Sequence, residues 1–226
     1  MKTPVALLIF SRSVEAECSF KGFAGNQLFF QSQENRLKKL CSKTGLDVFN
    51  HDEHQQQGNT FGERFCSSLS SVFSKGYDKV IVIGNDCPQL KYKHLQSGID
   101  ALHSDKACLG KSFDGGFYLL AIQKKYFNQS DFLNLSWNTS NVSSEVIQLL
   151  STKVEVSFTP TLKDIDNQSD FKGLLNFSKQ LYTDVILILK TMHKSLDFGF
   201  QSPSLYIKNI ISGSCLNKAP PLLSRV

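Results

Sequence analysis

Continuous apolar runs alternate along this sequence with segments in which apolar residues recur at helical spacing. The segments 5–10 and 79–84 are almost continuously apolar, which is typical of strands buried on both faces of a parallel sheet. In the segment 61–73 a phenylalanine or leucine stands at every fourth position, which predicts a helix with one apolar face that ends before Gly76. Applied along the chain, these patterns predict strands at 5–10, 46–49, 79–84, 107–110, 117–122 and 153–158 and helices at 26–43, 61–75, 92–102, 140–150 and 169–181. Because strands and helices alternate, we expect an α/β fold with a mostly parallel sheet.

The length and composition are those of a globular protein with a sizeable core. The chain has 226 residues, 41% of them hydrophobic and 20% charged, which excludes a disordered or fibrous protein. No linker-like stretch interrupts residues 1–180, so we assign residues 1–190 to one domain and residues 191–226 to a C-terminal extension. The extension carries three of the six prolines, and it packs either against the domain or against a second subunit. An oligomer is therefore one of the expectations.

The charge and the cysteines indicate which binding partners and which cellular compartment to expect. Lys and Arg number 25 against 20 Asp and Glu, and this mild excess is spread along the chain, so we expect no nucleic-acid binding. The six cysteines form no C-x-x-C pair, which favours free thiols in a reducing cytoplasm. The apolar runs 5–10 and 185–189 are too short for a signal peptide or a membrane span, so we expect neither.

Aspartates follow two of the predicted strands at the position where a parallel sheet binds ligands. Asp86 comes directly after the strand 79–84, and Asp164 and Asp166 follow the strand 153–158. Ligands of such sheets lie outside the carboxyl ends of the strands, and carboxylate oxygens suit a hard divalent cation with attached phosphates. Asp86 has an alternative role as the cap of the next turn. If the chain is extended after the strand 153–158, the carboxylates of Asp164 and Asp166 share one face and form either a cation site or a solvated edge.

Two further segments combine glycines with charged residues. Between Lys111 and Tyr118, Asp114 precedes Gly115 and Gly116, which lets the backbone approach a ligand closely or simply makes a hairpin turn.

The segment 58–65 opens a predicted helix, where free N–H groups and Arg64 are candidates to bind a phosphate. Its alternative interpretation is a capping box in which Thr60 pairs with Glu63. The loop 51–54 holds two histidines and two acids, which we interpret as a solvated polar loop rather than a metal site.

Taken in order, these segments resemble one known family. They are similar to the bacterial glycosyltransferase-A-like proteins described as domain of unknown function 2064, also called transferase 1 associated with radical-SAM and selenoprotein domains. The resemblance covers about residues 5–180, and six stretches in the right order and spacing make it fairly specific. The matching stretches are 6–10, 58–65, 82–88, 109–110 with 114–118, 132–137, and 164–166 with Asp170.

The resemblance implies a three-layer α/β/α nucleotide-diphosphosugar transferase (GT-A-like) fold with a mostly parallel mixed sheet. It also implies a metal-dependent transferase that uses a nucleotide-activated donor, with a nucleotide or nucleotide sugar as the bound partner. The expected cofactor is Mg²⁺ or Mn²⁺, held by Asp86 and Asp166, and such an ion would neutralise the charge of the leaving diphosphate. Asp114 is then the expected catalytic residue, which orients or deprotonates an acceptor hydroxyl. The expected substrate-binding residues are Arg12, Arg64, Asn85, Lys111, Gly115, Gly116 and Trp137.

One segment departs from the family pattern. After the first strand the family carries a basic Lys-Thr-Arg-Leu run suited to phosphates, whereas the stretch 11–21 of this chain contains two glutamates. Arg12 and Lys21 are the candidates to replace the missing cations. Three hypotheses therefore stand: a glycosyltransferase-like enzyme, a nucleotidyltransferase on the same fold, and a non-catalytic binding protein that has lost the phosphate-binding loop.

Overall fold

Six strands form one mixed sheet in the computed structural model, which describes residues 4–21 and 26–197. The strands are β1 (Val5–Phe10), β2 (Asp47–His51), β3 (Lys79–Ile83), β4 (Ala107–Ser112), β5 (Phe117–Gln123) and β6 (Val156–Leu162). The helices are α1 (Val14–Lys21), α2 (Asn26–Ser42), α3 (Phe61–Ser74), α4 (Tyr92–His103), α5 (Gln129–Leu133), α6 (Val142–Ser151), α7 (Gln168–Gly173) and α8 (Thr183–Asp197). Short 3₁₀ segments at Lys124–Tyr126 and Leu174–Gln180 complete the described secondary structure.

The strand order is β2-β1-β3-β5-β4-β6, and every pair is parallel except the two that β5 makes with its neighbours. The carboxyl ends of the five parallel strands therefore share one edge of the sheet. The hairpin turn between β4 and β5 lies at that same edge, because it follows the carboxyl end of β4. Ligands of open α/β sheets bind at this edge.

Alternate residues of the strands face two separate apolar layers. Leu7 and Ile81 belong to the layer formed with α2 and α4, whereas Leu8 and Val82 belong to the layer formed with α3 and α6. All four side chains are buried, as expected for strands covered on both faces. The predicted three-layer α/β/α fold with a mostly parallel mixed sheet is confirmed.

A third apolar cluster lies beyond the carboxyl edge and holds the helices that border it. It joins α1 and α2 to α8 through Val14, Phe29 and Val185. Ile165, in the loop after β6, is fully buried in this cluster. The cluster therefore packs α1 against the loop that carries the aspartates 164 and 166.

Some elements differ from the prediction. The helices α1 and α5 were not predicted, and β6 begins at Val156 rather than at residue 153. The prediction of a single helix over 169–181 was wrong, because the chain passes from α7 into a 3₁₀ segment and then into α8. Phe177 has non-helical backbone angles within that segment, and Leu181 is extended.

The helix α8 runs across residue 190, where the sequence analysis begins the C-terminal extension, and residues 198–226 of that extension lie outside the described residues. Within the described part of the chain, no helix combines the length and the apolar composition that a membrane span requires. Cys41, Cys66, Cys87 and Cys108 are buried free thiols, and Cys215 lies outside the described residues.

Candidate functional site

The aspartates singled out in the sequence all follow strand ends at the carboxyl edge of the sheet. Asp86 lies three residues beyond β3, Asp114 lies in the turn between β4 and β5, and Asp166 lies in the loop after β6. The backbone N–H of Ile165 donates a hydrogen bond of 3.1 Å to the carbonyl oxygen of Asp86, which ties the first of these loops to the last. The topology thus brings residues 80 positions apart into one site.

Three carboxylates meet at this edge. Asp114, Asp164 and Asp166 each offer one oxygen, and these oxygens lie within 4.8 Å of one another. We call these three residues the carboxylate group. Burial and the neighbouring carboxylate of Asp114 raise the pKa of Asp164 to about 7. Oxygens so placed match a divalent cation with ligand distances of about 2.0–2.6 Å, because carboxylates this close repel one another and a cation between them would relieve the repulsion. The residues of this group therefore fit a hard divalent cation.

A lysine fills the space beside this group. Lys21, the last residue of α1, has a side chain only 1% exposed. Its Nζ donates hydrogen bonds to the carboxylate of Asp86 and to the carbonyl oxygen of Ile165. The same Nζ lies 3.4 Å from Glu17 Oε2 and 3.5 Å from Asp166 Oδ1. From its sequence context, Lys21 was only a candidate to replace the family's basic run.

The charges around this lysine shift its pKa and that of Glu17. Burial alone would lower the pKa of Lys21, but the carboxylates of Asp86 and Glu17 outweigh it and raise the pKa, so the ammonium form is retained. Burial and the carboxylate of Asp86 raise the pKa of Glu17. Glu17 is itself 2% exposed, and its buried Oε2 has no hydrogen-bond partner. The sequence analysis assigned no role to Glu17, although its i, i+4 spacing from Lys21 on a helix is a pairing signal.

The predicted metal ligands Asp86 and Asp166 therefore both lie next to Lys21 Nζ. Each has an oxygen no further than 3.5 Å from Nζ, so these two oxygens are at most twice that distance, 7 Å, apart. Asp166 also belongs to the carboxylate group, whereas the carboxylate of Asp86 is paired with the ammonium.

The glycine pair forms the hairpin turn that the sequence offered as one interpretation. The N–H of Gly116 donates 2.8 Å to Asp114 Oδ1, which also accepts from the hydroxyl of Ser112. Gly115 has a φ of +93°, and a Cβ there would collide with the backbone carbonyl of Ser140. The turn therefore fixes the Asp114 carboxylate and docks against the chain before α6.

Replacing Gly115 with Ala is expected to lower the free energy of unfolding by about 3 kcal/mol. Left-handed backbone costs an L-residue about 1–2 kcal/mol, and the collision with Ser140 adds to this cost. Urea unfolding of the variant measures the loss. The matched control is Gly45→Ala, because Gly45 also has a positive φ, +66°, but open space around it. A loss no larger than that of the control would contradict the close packing of the turn.

Two of the predicted substrate-binding residues have well-defined packing partners. Thr60 and Glu63 form the capping box of α3, and Arg64 Nη1 donates 3.2 Å to the carbonyl oxygen of Asn59. Trp137 packs so closely on Gly62 that a Cβ there would lie 2.6 Å from the indole ring. Its Nε1 donates 2.8 Å to the carbonyl oxygen of Phe132. The capping interpretation is confirmed, and substrate contacts of Arg64 and Trp137 stay predictions.

A pocket of about 410 Å³ opens at the ends of β1 and β2. Arg12 and Asn85 line it, and Asn85 Nδ2 donates 3.4 Å to the carbonyl oxygen of Arg12. The Arg12 guanidinium, 40% exposed, stacks 3.8 Å above the exposed ring of Phe20. The remaining predicted residue, Lys111, is half-buried next to the β-bulge in β4. Other residues of the pocket include Ile9, Val14, Leu37, Val48, Asn50 and Asp52.

Comparison with known proteins agrees with the fold. Residues 23–139, just over half of the chain, match the sequence model of the family described as "Uncharacterized protein conserved in bacteria (DUF2064)". No curated protein matches the chain. A candidate nucleotide-diphospho-sugar transferase from Desulfovibrio desulfuricans G20 is 20% identical, with a TM-score of 0.68 over 87% of this chain and 97% of that chain. This similarity shows that the two proteins share a fold.

Two other solved structures are less similar. A homologue of Mycobacterium tuberculosis Rv0371c from Mycobacterium sp. strain JC1 is 12% identical, with a TM-score of 0.45 over 76% of this chain and 96% of that chain. A 4-diphosphocytidyl-2C-methyl-D-erythritol synthase from Anaerococcus prevotii DSM 20548 is also 12% identical, with a TM-score of 0.45 over 84% of this chain and 96% of that chain.

Proposed function

This chain belongs to the DUF2064 family, and we propose that it is a metal-dependent transferase that uses a nucleotide-activated donor, most simply a nucleotide sugar. One observation carries the proposal. The pocket at the ends of β1 and β2 and the carboxylate group lie at the same edge of the sheet. They are connected in space through Asn85, its neighbour Asp86, and Lys21, which contacts Asp166.

The pocket suits the nucleoside part of a donor. Its volume of about 410 Å³ is in the range of small-molecule sites, and aliphatic side chains line part of it, among them Ile9 and Leu37. The polar side chains of Asn50 and Asp52 at the end of β2 offer oxygen acceptors for ribose hydroxyls. A nucleoside bound there would direct its diphosphate along the edge, past Arg12 and Asn85, toward the carboxylate group.

The carboxylate group is the proposed site for Mg²⁺ or Mn²⁺. Asp114, Asp164 and Asp166 would hold the ion, which would supply positive charge to the leaving diphosphate. Without an ion, Asp164 holds a proton up to a pH of about 7, because its pKa is raised by burial and by Asp114. The Asp114 carboxylate, which accepts hydrogen bonds from Gly116 and Ser112, would orient or deprotonate an acceptor hydroxyl at the exposed side of the site. We place the enzyme in the cytoplasm, in keeping with its free thiols.

A thermal-shift panel of nucleoside di- and triphosphates and nucleotide sugars, each with and without Mn²⁺, tests the proposal. A ligand at 100 times its dissociation constant should add about 2.7 kcal/mol to the stability, and we expect such a shift for one nucleotide class. The shift should be larger with Mn²⁺. The variant Val48→Arg should abolish it, because Val48 lines the pocket and lies far along the chain from the carboxylate group.

The matched control is Leu133→Arg, since Leu133 is about as exposed as Val48 but is not among the pocket residues. A shift with nucleoside triphosphates but not with nucleotide sugars would favour nucleotidyl transfer, in which a different bond of the diphosphate chain breaks. Absence of any shift would refute the proposal and favour a non-catalytic protein.

A further inference from the structure

We propose that the ammonium group of Lys21 is a resident cation at Asp86, so that in this chain Asp86 pairs with lysine instead of ligating a divalent metal. The inference rests on the proposed function only in assigning the exchangeable metal to the carboxylate group. Its own basis is the arrangement of oxygens around Lys21 Nζ.

The oxygens around Lys21 form a set that would suit a hard divalent ion. Three carboxylates and one backbone carbonyl surround Nζ, which bonds Asp86 and Ile165 and lies 3.4–3.5 Å from the other two. Mg²⁺ and Mn²⁺ take carboxylate and carbonyl oxygens of this kind. Here three N–H donors on a fixed side chain stand where such an ion would otherwise bind.

Burial and charge keep the Lys21 ammonium among these oxygens. The side chains of Lys21 and Glu17 are 1% and 2% exposed, so neither charge can be compensated by water. A buried charge is tolerated only when it is paired, and removing its partner is strongly unfavourable. The ammonium is also covalently attached to α1, which the third apolar cluster holds through Val14. A chelator therefore cannot remove this cation.

Glu17 supplies an independent sign that the position is a cation site. Its Oε2 is buried, has no hydrogen-bond partner and lies 3.4 Å from Lys21 Nζ. An unpartnered buried carboxylate oxygen is costly unless a positive charge faces it. Once the ammonium is removed, Glu17, Asp86 and Asp166 would present carboxylate oxygens around an empty space. Such a space should bind a divalent ion.

Mn²⁺ titrations of the whole chain, followed by the electron paramagnetic resonance signal of free Mn²⁺, test the inference without any nucleotide. The variant Asp86→Asn should bind Mn²⁺ with an affinity within twofold of that of the wild type. A wild type that binds no Mn²⁺ would also support the inference, because Asp86 then ligates no ion. Lys21→Met should bind one more Mn²⁺ per chain. The double variant Lys21→Met/Asp86→Asn should lose the gained site, and Lys21→Arg, which keeps the charge, should never gain it.

Two results would overturn the inference: a tenfold or greater loss of Mn²⁺ affinity in Asp86→Asn, or a Lys21→Met variant with native circular dichroism that gains no site. If Lys21→Met does not fold, the Asp86→Asn titration decides alone. Because nucleotide is absent, a failed nucleotide panel and a failed Mn²⁺ titration refute different statements.

Discussion

The variant Lys21→Met is expected to lose about 3–5 kcal/mol of unfolding free energy at pH 8, the cost of breaking a buried ion pair from one side. The substitution keeps the length of the side chain but leaves the buried Glu17 and the half-exposed Asp86 without their shared cation. Urea unfolding followed by circular dichroism measures the loss. It should be smaller at pH 5 than at pH 8 because Glu17 can then be protonated.

The sign of this pH dependence follows from the pKa of Glu17. Burial and Asp86 already raise this pKa above its unfolded value of 4.5, and removal of Lys21 raises it further. A carboxyl whose folded pKa is raised costs stability progressively as the pH rises above the unfolded pKa. The Lys21→Met variant should therefore be least stable at alkaline pH.

The chain contains a matched control for this substitution. Lys38 pairs with Glu34 at the same i, i+4 spacing and at 3.1 Å, but its side chain is 62% exposed. Lys38→Met should cost less than about 0.5 kcal/mol, since exposed pairs contribute little. Equal losses in the two variants would show that burial of the Lys21 pair does not matter to its energetics.

The apolar pattern predicts the sheet well because most strands of this fold are buried on both faces. The segments that became β1 and β3 are continuous apolar runs, and a local rule suffices to identify them. The capping box at Thr60 is equally local, since both partners lie within four residues. The aspartates at strand ends were predictable too, because parallel topology places every carboxyl end at one edge.

The helix α1 was not predicted because its buried face is largely polar. Pattern rules look for apolar residues at helical spacing, but the buried residues of α1 are Val14, Glu17 and Lys21. The burial of Glu17 and Lys21 depends on Asp86, 65 residues beyond Lys21, so no local pattern indicates it. Because this contact is long-range, the sequence offered Lys21 only as a replacement for the missing basic run and gave no sign that it pairs with Asp86.

The helix predicted over 169–181 failed for a related reason. Its apolar residues do continue at helical spacing, but the third apolar cluster buries both Leu174 and Leu181, which lie at the start and at the end of the 3₁₀ segment. The backbone turns at Phe177 to satisfy both. Tertiary packing thus overrides a local periodicity that would otherwise favour one continuous helix.

The variant Asp164→Asn is expected to be about 2 kcal/mol more stable than the wild type at pH 8. Burial and Asp114 raise the pKa of Asp164 from 3.8 to about 7, so the ionised side chain at pH 8 is a cost to the folded state. Each pKa unit corresponds to about 1.4 kcal/mol, and partial exposure and coupling to Asp114 reduce the total to about half of the full shift. At pH 4 the folded side chain is protonated and the unfolded one, with a pKa of 3.8, is only partly ionised, so the gain should fall to about 0.3 kcal/mol. Urea unfolding at pH 8 and pH 4 measures the difference.

Divalent cations should cancel this gain in stability, and that effect links the stability of the fold to the proposed chemistry. Mn²⁺ bound among the three carboxylates would stabilise the wild type at pH 8 more than the variant, so saturating Mn²⁺ should cancel the advantage of Asp164→Asn. The exposed Asp100 in α4 provides the control, since Asp100→Asn should change stability by less than about 0.5 kcal/mol at either pH, with or without the ion. A gain in Asp164→Asn that is independent of pH would mean that it does not come from the charge. A gain that Mn²⁺ leaves unchanged would instead mean that the carboxylate group crowds its charges without binding the metal.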